Sequence, residues 1–180
     1  MIDMRETCAE VAALVQEVRD DQLAAPTPCA EYTVADLLDH LDGVAVGFTV
    51  AAGSTADSTV EAGGPRDRVG LADRLRGLAE AWAVPAVWEG ETEGPGGLVL
   101  SNAVWGRIAL TEVVVHGWDL ATATGNGLVL PEDALRACHE HVARFVPGAP
   151  LPELWGPPVA VAPDAPLLDR ILGVTGRAPV

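Results

Sequence analysis

The sequence predicts an all-α protein, a bundle of helices that forms a single domain. Long segments carry apolar residues at intervals of three and four, and residues typical of helix ends flank these segments. One central segment is apolar on nearly every side, as expected of a helix that other helices surround. Since 49% of the 180 residues are hydrophobic, one core can be stable without disulfide bonds, and we expect residues 1–180 to form one domain.

The first two helices are predicted from their apolar stripes and their ends. A helix from Asp3 to Leu23 has apolar residues at helical spacing and ends before Pro26, whose ring cannot continue it. Thr33 is the expected N-cap of the second helix, with Asp36 as its capping-box partner. His40 lies on the apolar stripe of this helix, so we expect its side chain to point inward.

Two further helices follow a connection rich in Gly, Ser and Thr, from Gly53 to Gly64. The third is predicted from about Asp67 to Ala83. The fourth runs from Ser101 to Gly125, where the glycine is the expected C-cap. It is the segment that is apolar on nearly every side, and we place it at the centre of the bundle.

The C-terminal third is rich in proline. Pro131 suits the first position of a fifth helix. The stretch from Pro147 to Pro166 is expected to be extended and to wrap the bundle, before a short last helix from Pro166 to Leu172. Short strands are an alternative for the sequences GLVL at Gly97 and VAVA at Val159.

Charge and cysteine content exclude several classes of protein. The chain has 11 basic and 26 acidic residues and a net charge of −15, which repels phosphate backbones and anionic lipids, so nucleic-acid and membrane partners are not expected. Cys8, Cys29 and Cys138 form no CxxC pair and do not indicate a disulfide framework. The N-terminus does not resemble a signal peptide, and no apolar run reaches the roughly 18 residues of a membrane span. We therefore expect a cytoplasmic protein.

The fourth helix contains an anomaly, because Glu112 and His116 lie within its most apolar part. Four residues apart, they share one face of the helix. A buried, unpaired carboxylate costs several kcal/mol, and Arg107, five residues earlier, lies on another face. A metal ion held with His116 would compensate the charge, with His40 as a third ligand from a facing helix. Two imidazoles and one carboxylate form a ligand set of catalytic zinc sites, but spacing alone does not distinguish this site from hydrogen-bonded core residues without an ion.

Two aspartates are candidates for orienting these ligands. Asp119, three residues after His116, can accept the second ring N–H of that histidine, or it can be an ordinary ion-pair partner near the helix end. Asp36, one turn before His40, can likewise accept the second ring N–H of His40, but helix capping explains this residue equally well.

Three other residues have reactive side chains, but we expect structural roles for them rather than functional ones. His139 and His141 are two apart in the fifth helix and point in different directions, so a solvated face is expected for them. Cys29 follows a proline at a turn; a buried small residue is the default reading, and an exposed reactive thiol is the alternative.

Several stretches resemble one known family. Thr27 to Leu41 (TPCAEYTVADLLDHL) and Glu112 to Ala121 (EVVVHGWDLA) resemble the two metal-binding motifs of the mycothiol-dependent maleylpyruvate isomerase-like proteins, which belong to the DinB-type superfamily. The C-terminal sequences WGPPV at Trp155, DAPLLDR at Asp164 and TGR at Thr175 are similar to the ending of the short, single-domain branch of that family. The resemblance extends over nearly the whole chain.

The resemblance implies a DinB-like four-helix bundle with up-down-down-up topology and a divalent metal, Zn2+ or another ion such as Ni2+, held by His40, Glu112 and His116. It further implies an isomerase or S-transferase that uses mycothiol, a low-molecular-weight thiol, on a small electrophilic substrate. The maleylpyruvate isomerases proper carry an extra C-terminal domain that contributes to their active site, for which this chain is too short, so the substrate stays open. A non-catalytic metal-binding or ligand-binding protein and a hydrolase that activates water are the alternatives. The oligomeric state is also open, with a homodimer as one alternative.

Overall fold

The computed structural model describes residues 1–30, 32–53, 64–94, 97–148 and 155–179. Within these residues the protein is mainly helical, which confirms the all-α prediction in outline. The helices are α1 (Arg5–Glu17), α2 (Val34–Ala51), α3 (Arg68–Trp82), α4 (Asn102–Thr124), α5 (Glu132–Phe145) and α6 (Leu167–Val174). Short 3-10 turns lie at Asp20–Gln22, Pro85–Trp88 and Val146–Gly148.

The first four helices pack against one another around a common core. α1 contacts α3 and α4, while α2 contacts the same two helices, and α5 joins through α4 and α6. As predicted, α4 is the most buried helix, with its N-cap at Ser101 and a left-handed Gly125 (φ 73°) as its C-cap. The up-down-down-up order of directions implied by the resemblance stays a prediction. None of the helices described combines the length and apolarity needed to cross a membrane.

The first helix is shorter than its apolar pattern predicts. It ends at Glu17, and Val18 is already extended (φ −65°, ψ 127°), so the expected continuation to Leu23 is wrong. The following 3-10 turn is held from outside α1, because the Gln22 side chain accepts from the Arg19 backbone N–H and donates to the carbonyl of Thr124. The chain after α1 is therefore held against the C-terminal end of α4.

The capping box of α2 is confirmed. The Thr33 backbone N–H donates to the Asp36 carboxylate (2.9 Å), and the Asp36 backbone N–H donates to the Thr33 hydroxyl oxygen (3.3 Å). These reciprocal bonds satisfy two groups that the first turn of a helix leaves without partners. They fix the start of α2 and with it the position of His40, two turns further along.

Two short antiparallel strands precede α4. They are β1 (Glu91–Glu93) and β2 (Val99–Ser101), with Glu91 opposite Ser101. The strand alternative for GLVL is thus confirmed, whereas its partner strand β1 was not predicted. Val159 lies outside any strand in the described part of the tail.

The predicted connections fall partly outside the described residues. This holds for 54–63 of the Gly53–Gly64 connection and for 149–154 of the proline-rich stretch. Pro131 is the N-cap of α5 rather than its first residue, and α6 begins directly after Pro166 as predicted. Residues 155–166 are irregular and lead into α6, which packs on α5.

Candidate metal centre

A pocket of about 710 Å³ opens at the contact between α2 and α4, a volume suited to a small-molecule ligand. Its walls come from three separate parts of the chain: the loop before α2, the two helices, and the C-terminal segment. The lining residues are Pro28, Cys29, Ala30, Tyr32, His40, Glu112, His116, Trp155, Gly156, Pro157, Gly176 and Arg177.

The structure brings together the three residues predicted as metal ligands. Nε2 of His40 lies 3.0 Å from Oε2 of Glu112, and Nε2 of His116 lies 3.3 Å from the same oxygen. One donor atom from each of the three side chains lies within 4.8 Å of the other two. The packing of α2 on α4 supplies the cross-helix contact, and the four-residue spacing on α4 supplies the other.

The three side chains differ in their access to the pocket. Glu112 and His116 are buried, with 6% and 5% of their surface exposed, while the His40 side chain keeps 30%. Arg107, considered as a partner for Glu112, donates instead to the carbonyl of Ala103 (2.7 Å). The imidazoles of His40 and His116 are therefore the groups that face the buried carboxylate.

These contacts set the ionisation of the site. Burial raises the pKa of Glu112, but its hydrogen bonds with His116 and His40 outweigh burial and lower the pKa to about 2. Burial lowers the pKa of His116, while its bonds with Asp119 and Glu112 outweigh that effect and raise it. Glu112 is thus a carboxylate at neutral pH, in the form that binds a cation.

The three side chains fit a divalent ion. Ligand atoms at about 2.0–2.1 Å from a tetrahedral zinc ion lie roughly 3.3 Å from one another. The observed separations of 3.0 and 3.3 Å from the Glu112 oxygen to the two imidazole nitrogens are close to that value. Nitrogen and carboxylate donors are also the chemical types that zinc and nickel accept.

The contacts of Asp119 agree with both sequence interpretations, a ligand-orienting group and an ion-pair partner. It is completely buried, and its Oδ2 accepts a hydrogen bond from Nδ1 of His116 (3.0 Å). A carboxylate behind the second nitrogen is common for metal-ligating histidines, and this role of Asp119 stays a prediction. The carboxylate of Asp36 is exposed and pairs with Thr33, and no bond from it to His40 is found among the described residues.

A second group of potential donors shares His116. Atoms of Cys29, His116 and Asp119 also lie within 4.8 Å of one another. The carboxylate of Asp119 is already paired with the guanidinium of Arg177 and with His116, so it has little negative charge to offer an ion. The group with Glu112 is the better candidate, and Cys29 is a half-buried wall residue of the pocket.

The expectation for the histidines of α5 is wrong in one case. His141 is buried, with 8% of its surface exposed, and its ring stacks on Phe145 at 4.8 Å between centroids. Burial, helped by the positive charge of Arg107, lowers the pKa of His141 to about 4. His139 is only partly buried. Since α5 packs on both α4 and α6, it has less solvated surface than its sequence suggests.

Sequence reasoning gave no role to three residues that complete the site. The Tyr32 ring lies 5.4 Å from the His40 ring, and the Trp155 ring stacks on His116 at 6.4 Å between centroids. Arg177 donates from Nη2 to Oδ2 of Asp119 (2.9 Å) and from Nε to Oδ1 (3.3 Å). Trp155 and Arg177 belong to the C-terminal sequences WGPPV and TGR, which was the signal available for them. These sequences do not indicate a chemical role until the structure shows the tail packed near α4.

The model of the mycothiol maleylpyruvate isomerase N-terminal domain family matches residues 4–121, which include every residue of the proposed ligand set. The chain belongs to this family. It is also 34% identical over 175 residues to uncharacterized proteins of two Mycobacterium tuberculosis strains, CDC 1551 / Oshkosh and H37Rv. The aligned part covers 92% of this chain and 91% of each relative. No solved structure matches the chain.

The family model covers both motifs but not the C-terminal segment. The matched region ends at Ala121, whereas Trp155 and Arg177 lie beyond it and still line the pocket. In this family member the C-terminal segment therefore forms one wall of the candidate metal centre.

Proposed function

We propose that this chain binds one divalent metal ion, zinc or another ion such as nickel, through His40, Glu112 and His116. With mycothiol as cosubstrate, it acts as an isomerase or S-transferase on a small electrophile. The observation that carries the proposal is the convergence of two imidazole nitrogens on one buried carboxylate oxygen at the base of a pocket. Membership of a family whose description names mycothiol and an isomerase supports the choice of chemistry.

The residues of the pocket have separable tasks in this proposal. Glu112 provides the negative donor, and its burial keeps water from competing for that carboxylate. His116 is held by Asp119, while His40 occupies the open side, where a ligand enters. A bound divalent cation would supply the positive charge that keeps a thiol in its thiolate form near neutral pH.

The proposed reaction needs no redox partner. The thiol sulfur forms a C–S bond to one carbon of an activated alkene, and the former double bond can then rotate. If the same C–S bond breaks again, the product is the other geometric isomer, with no net consumption of thiol or proton. If the bond remains and the proton of the thiol ends on the neighbouring carbon, the result is S-transfer.

The pocket offers surfaces for both reactants. The Tyr32 ring lies beside His40, and the Trp155 ring stacks on His116, so an aromatic ring lies next to each candidate histidine ligand. Aromatic and polar groups around a few fixed donors are typical of small-molecule sites. The volume of about 710 Å³ is large enough for a thiol cosubstrate together with a small electrophile.

Cobalt substitution tests the proposal. Cys8, Cys29 and Cys138 are first replaced by Ala or Ser, so that a protein thiol cannot give the signal. Mycothiol added to the cobalt-loaded protein should then produce an intense sulfur-to-cobalt charge-transfer band, which acidification removes because metal binding requires deprotonated sulfur. The same protein with His116→Ala is the control and should give no band.

Two outcomes would overturn parts of the proposal. If the protein takes up no divalent metal, the ligand assignment is wrong. If metal binds but mycothiol, glutathione and bacillithiol all fail to give the band, the thiol chemistry is wrong, and water activation or a purely binding role takes its place.

A further inference from the structure

The C-terminal end of α6 turns the chain back toward the metal centre. The backbone N–H of Arg177 donates to the carbonyl of Leu172 (2.8 Å), and that of Gly176 donates to the carbonyl of Gly173 (3.3 Å). This pair of bonds, with Gly176 at a φ of +82°, is a Schellman motif. The reversal directs the Arg177 side chain into the bundle rather than into solvent.

Arg177 is buried there, and each nitrogen of its guanidinium group donates a hydrogen bond. Only 7% of its surface is exposed, and its two bonds to the Asp119 carboxylate are joined by a third, from Nη1 to the carbonyl of Thr175 (2.7 Å). Its guanidinium carbon lies 5.6 Å from the centre of the Trp155 ring. A buried guanidinium is costly unless its charge and donors are satisfied, so this geometry ties the end of the tail to Asp119.

Asp119 also connects Arg177 to His116, a candidate metal ligand. Oδ2 of Asp119 accepts from both Nη2 of Arg177 (2.9 Å) and Nδ1 of His116 (3.0 Å). A carboxylate accepts but does not donate. The proton in the hydrogen bond between Asp119 and His116 therefore belongs to Nδ1 of His116. Nε2 of His116 faces Glu112 and is then the nitrogen that would give up its proton and bind an ion.

We propose that Arg177 is a positioning residue of the metal centre, which fixes Asp119 so that His116 presents Nε2 to the ion. The inference rests on the proposed metal-binding function and adds to it a contribution from the C-terminal segment. Without Arg177, the Asp119 carboxylate loses the two bonds that tie it to the tail and keeps its bond with His116, so the carboxylate and the His116 ring are held less firmly. The binding site is then no longer preorganised, and part of the binding free energy goes to restoring it.

The test compares Arg177→Gln and Arg177→Lys with the matched control Arg170→Gln. Arg170 lies in α6 and carries the same charge, but it does not line the pocket of the metal centre. Zinc dissociation constants are measured by competition with a chromophoric chelator at one pH. We expect Arg177→Gln to weaken zinc binding about 10- to 100-fold, Arg177→Lys to recover part of the loss through its charge, and the control to match the wild type.

A spectroscopic measurement separates positioning from general stability. Long-range 1H–15N correlation of the zinc-loaded wild type should show the metal on Nε2 of His116 and a slowly exchanging proton on Nδ1. In Arg177→Gln this proton should exchange faster. A folded Arg177→Gln protein with lower thermal stability but unchanged zinc affinity and Nδ1–H exchange would overturn the inference, as would zinc on Nδ1 in the wild type.

A double variant covers the case in which Arg177→Gln does not fold. Asp119→Asn combined with Arg177→Met removes both charges and leaves no orphaned ion in the core. We expect this protein to fold and to bind zinc more weakly than the wild type, and wild-type affinity would overturn the inference. A wild type that binds no zinc contradicts the proposed function itself, whereas equal zinc binding by wild type and variants contradicts only the role of Arg177.

Discussion

Oε2 of Glu112 lies 3.0 Å from Nε2 of His40, although 72 positions separate the two residues in the sequence. The contact joins the central helix α4 to α2. It also resolves how the chain accommodates a buried carboxylate, since two imidazoles, and not the neighbouring Arg107, face it. Four predictions follow from the way this contact and its surroundings are built.

Replacement of His116 by Ala should abolish metal binding, because it removes one of three protein donors. We expect the wild-type protein to carry about one divalent ion per chain, measured by mass spectrometry after growth with ample zinc, and His116→Ala to carry almost none. His139→Ala is the matched control, as it removes an imidazole from α5, outside the pocket of the metal centre. Full metal content in His116→Ala would move the ligand assignment elsewhere.

Gly176→Ala should destabilise the C-terminal segment. Gly176 has a φ of +82°, where a side chain costs about 1–2 kcal/mol, and a Cβ there would lie 2.7 Å from the backbone of Gly156. Gly156→Ala is the control, since its Cβ would meet the same contact at an ordinary 3.6 Å. Thermal unfolding should show a clearly lower Tm for Gly176→Ala alone, and equal values would contradict the docking described for the tail.

Arg74→Met should lower stability by leaving Asp42 as a buried charge without its partner. The Asp42 side chain is 4% exposed and pairs with Arg74, which bridges α3 to α2. We expect urea unfolding to give a free energy of unfolding that is lower by about 2 kcal/mol than that of the wild type. This loss is smaller than for a fully buried ion pair, because the Arg74 side chain is 17% exposed. The double replacement with Asp42→Leu should recover much of the loss. A double variant as unstable as Arg74→Met would show that packing, and not charge, dominates there.

His141 should make the protein less stable in mild acid. Its pKa is lowered to about 4 in the folded chain, against 6.5 for an ordinary histidine, so the unfolded state binds more protons between these values. The free energy of unfolding therefore falls as the pH is lowered from 6.5 to 4. His141→Gln should show a smaller decline over this window, measured by urea unfolding in the presence of a chelator.

The chelator keeps metal loss from contributing to that comparison. His139→Gln is the control, because the pKa of His139 is also lowered by burial but its side chain is more accessible. A His141→Gln protein whose stability declines in acid as steeply as that of the wild type would contradict the buried, uncharged state of His141.

The parts of the fold that were predictable depend on neighbours along the chain. The capping box between Thr33 and Asp36 and the glycine end of α4 at Gly125 arise from contacts within one turn, so their residue types are visible in the sequence. The shared face of Glu112 and His116 follows from the period of a helix alone. The end of α1 was not predictable in this way, because the chain leaves the helix after Glu17 and bonds through Gln22 to the C-terminal end of α4.

Sequence by itself thus determined the helices, the chemical types of the candidate ligands and, through its motifs, the family. Tertiary structure alone decided which side chains meet: His40 with Glu112 across two helices, and Arg177 with Asp119 across 58 positions. It also decided that His141 is buried between packed helices rather than solvated. The physical reason is that a side chain's partners across helices depend on packing angles and burial of the whole core, which no local period or cap encodes.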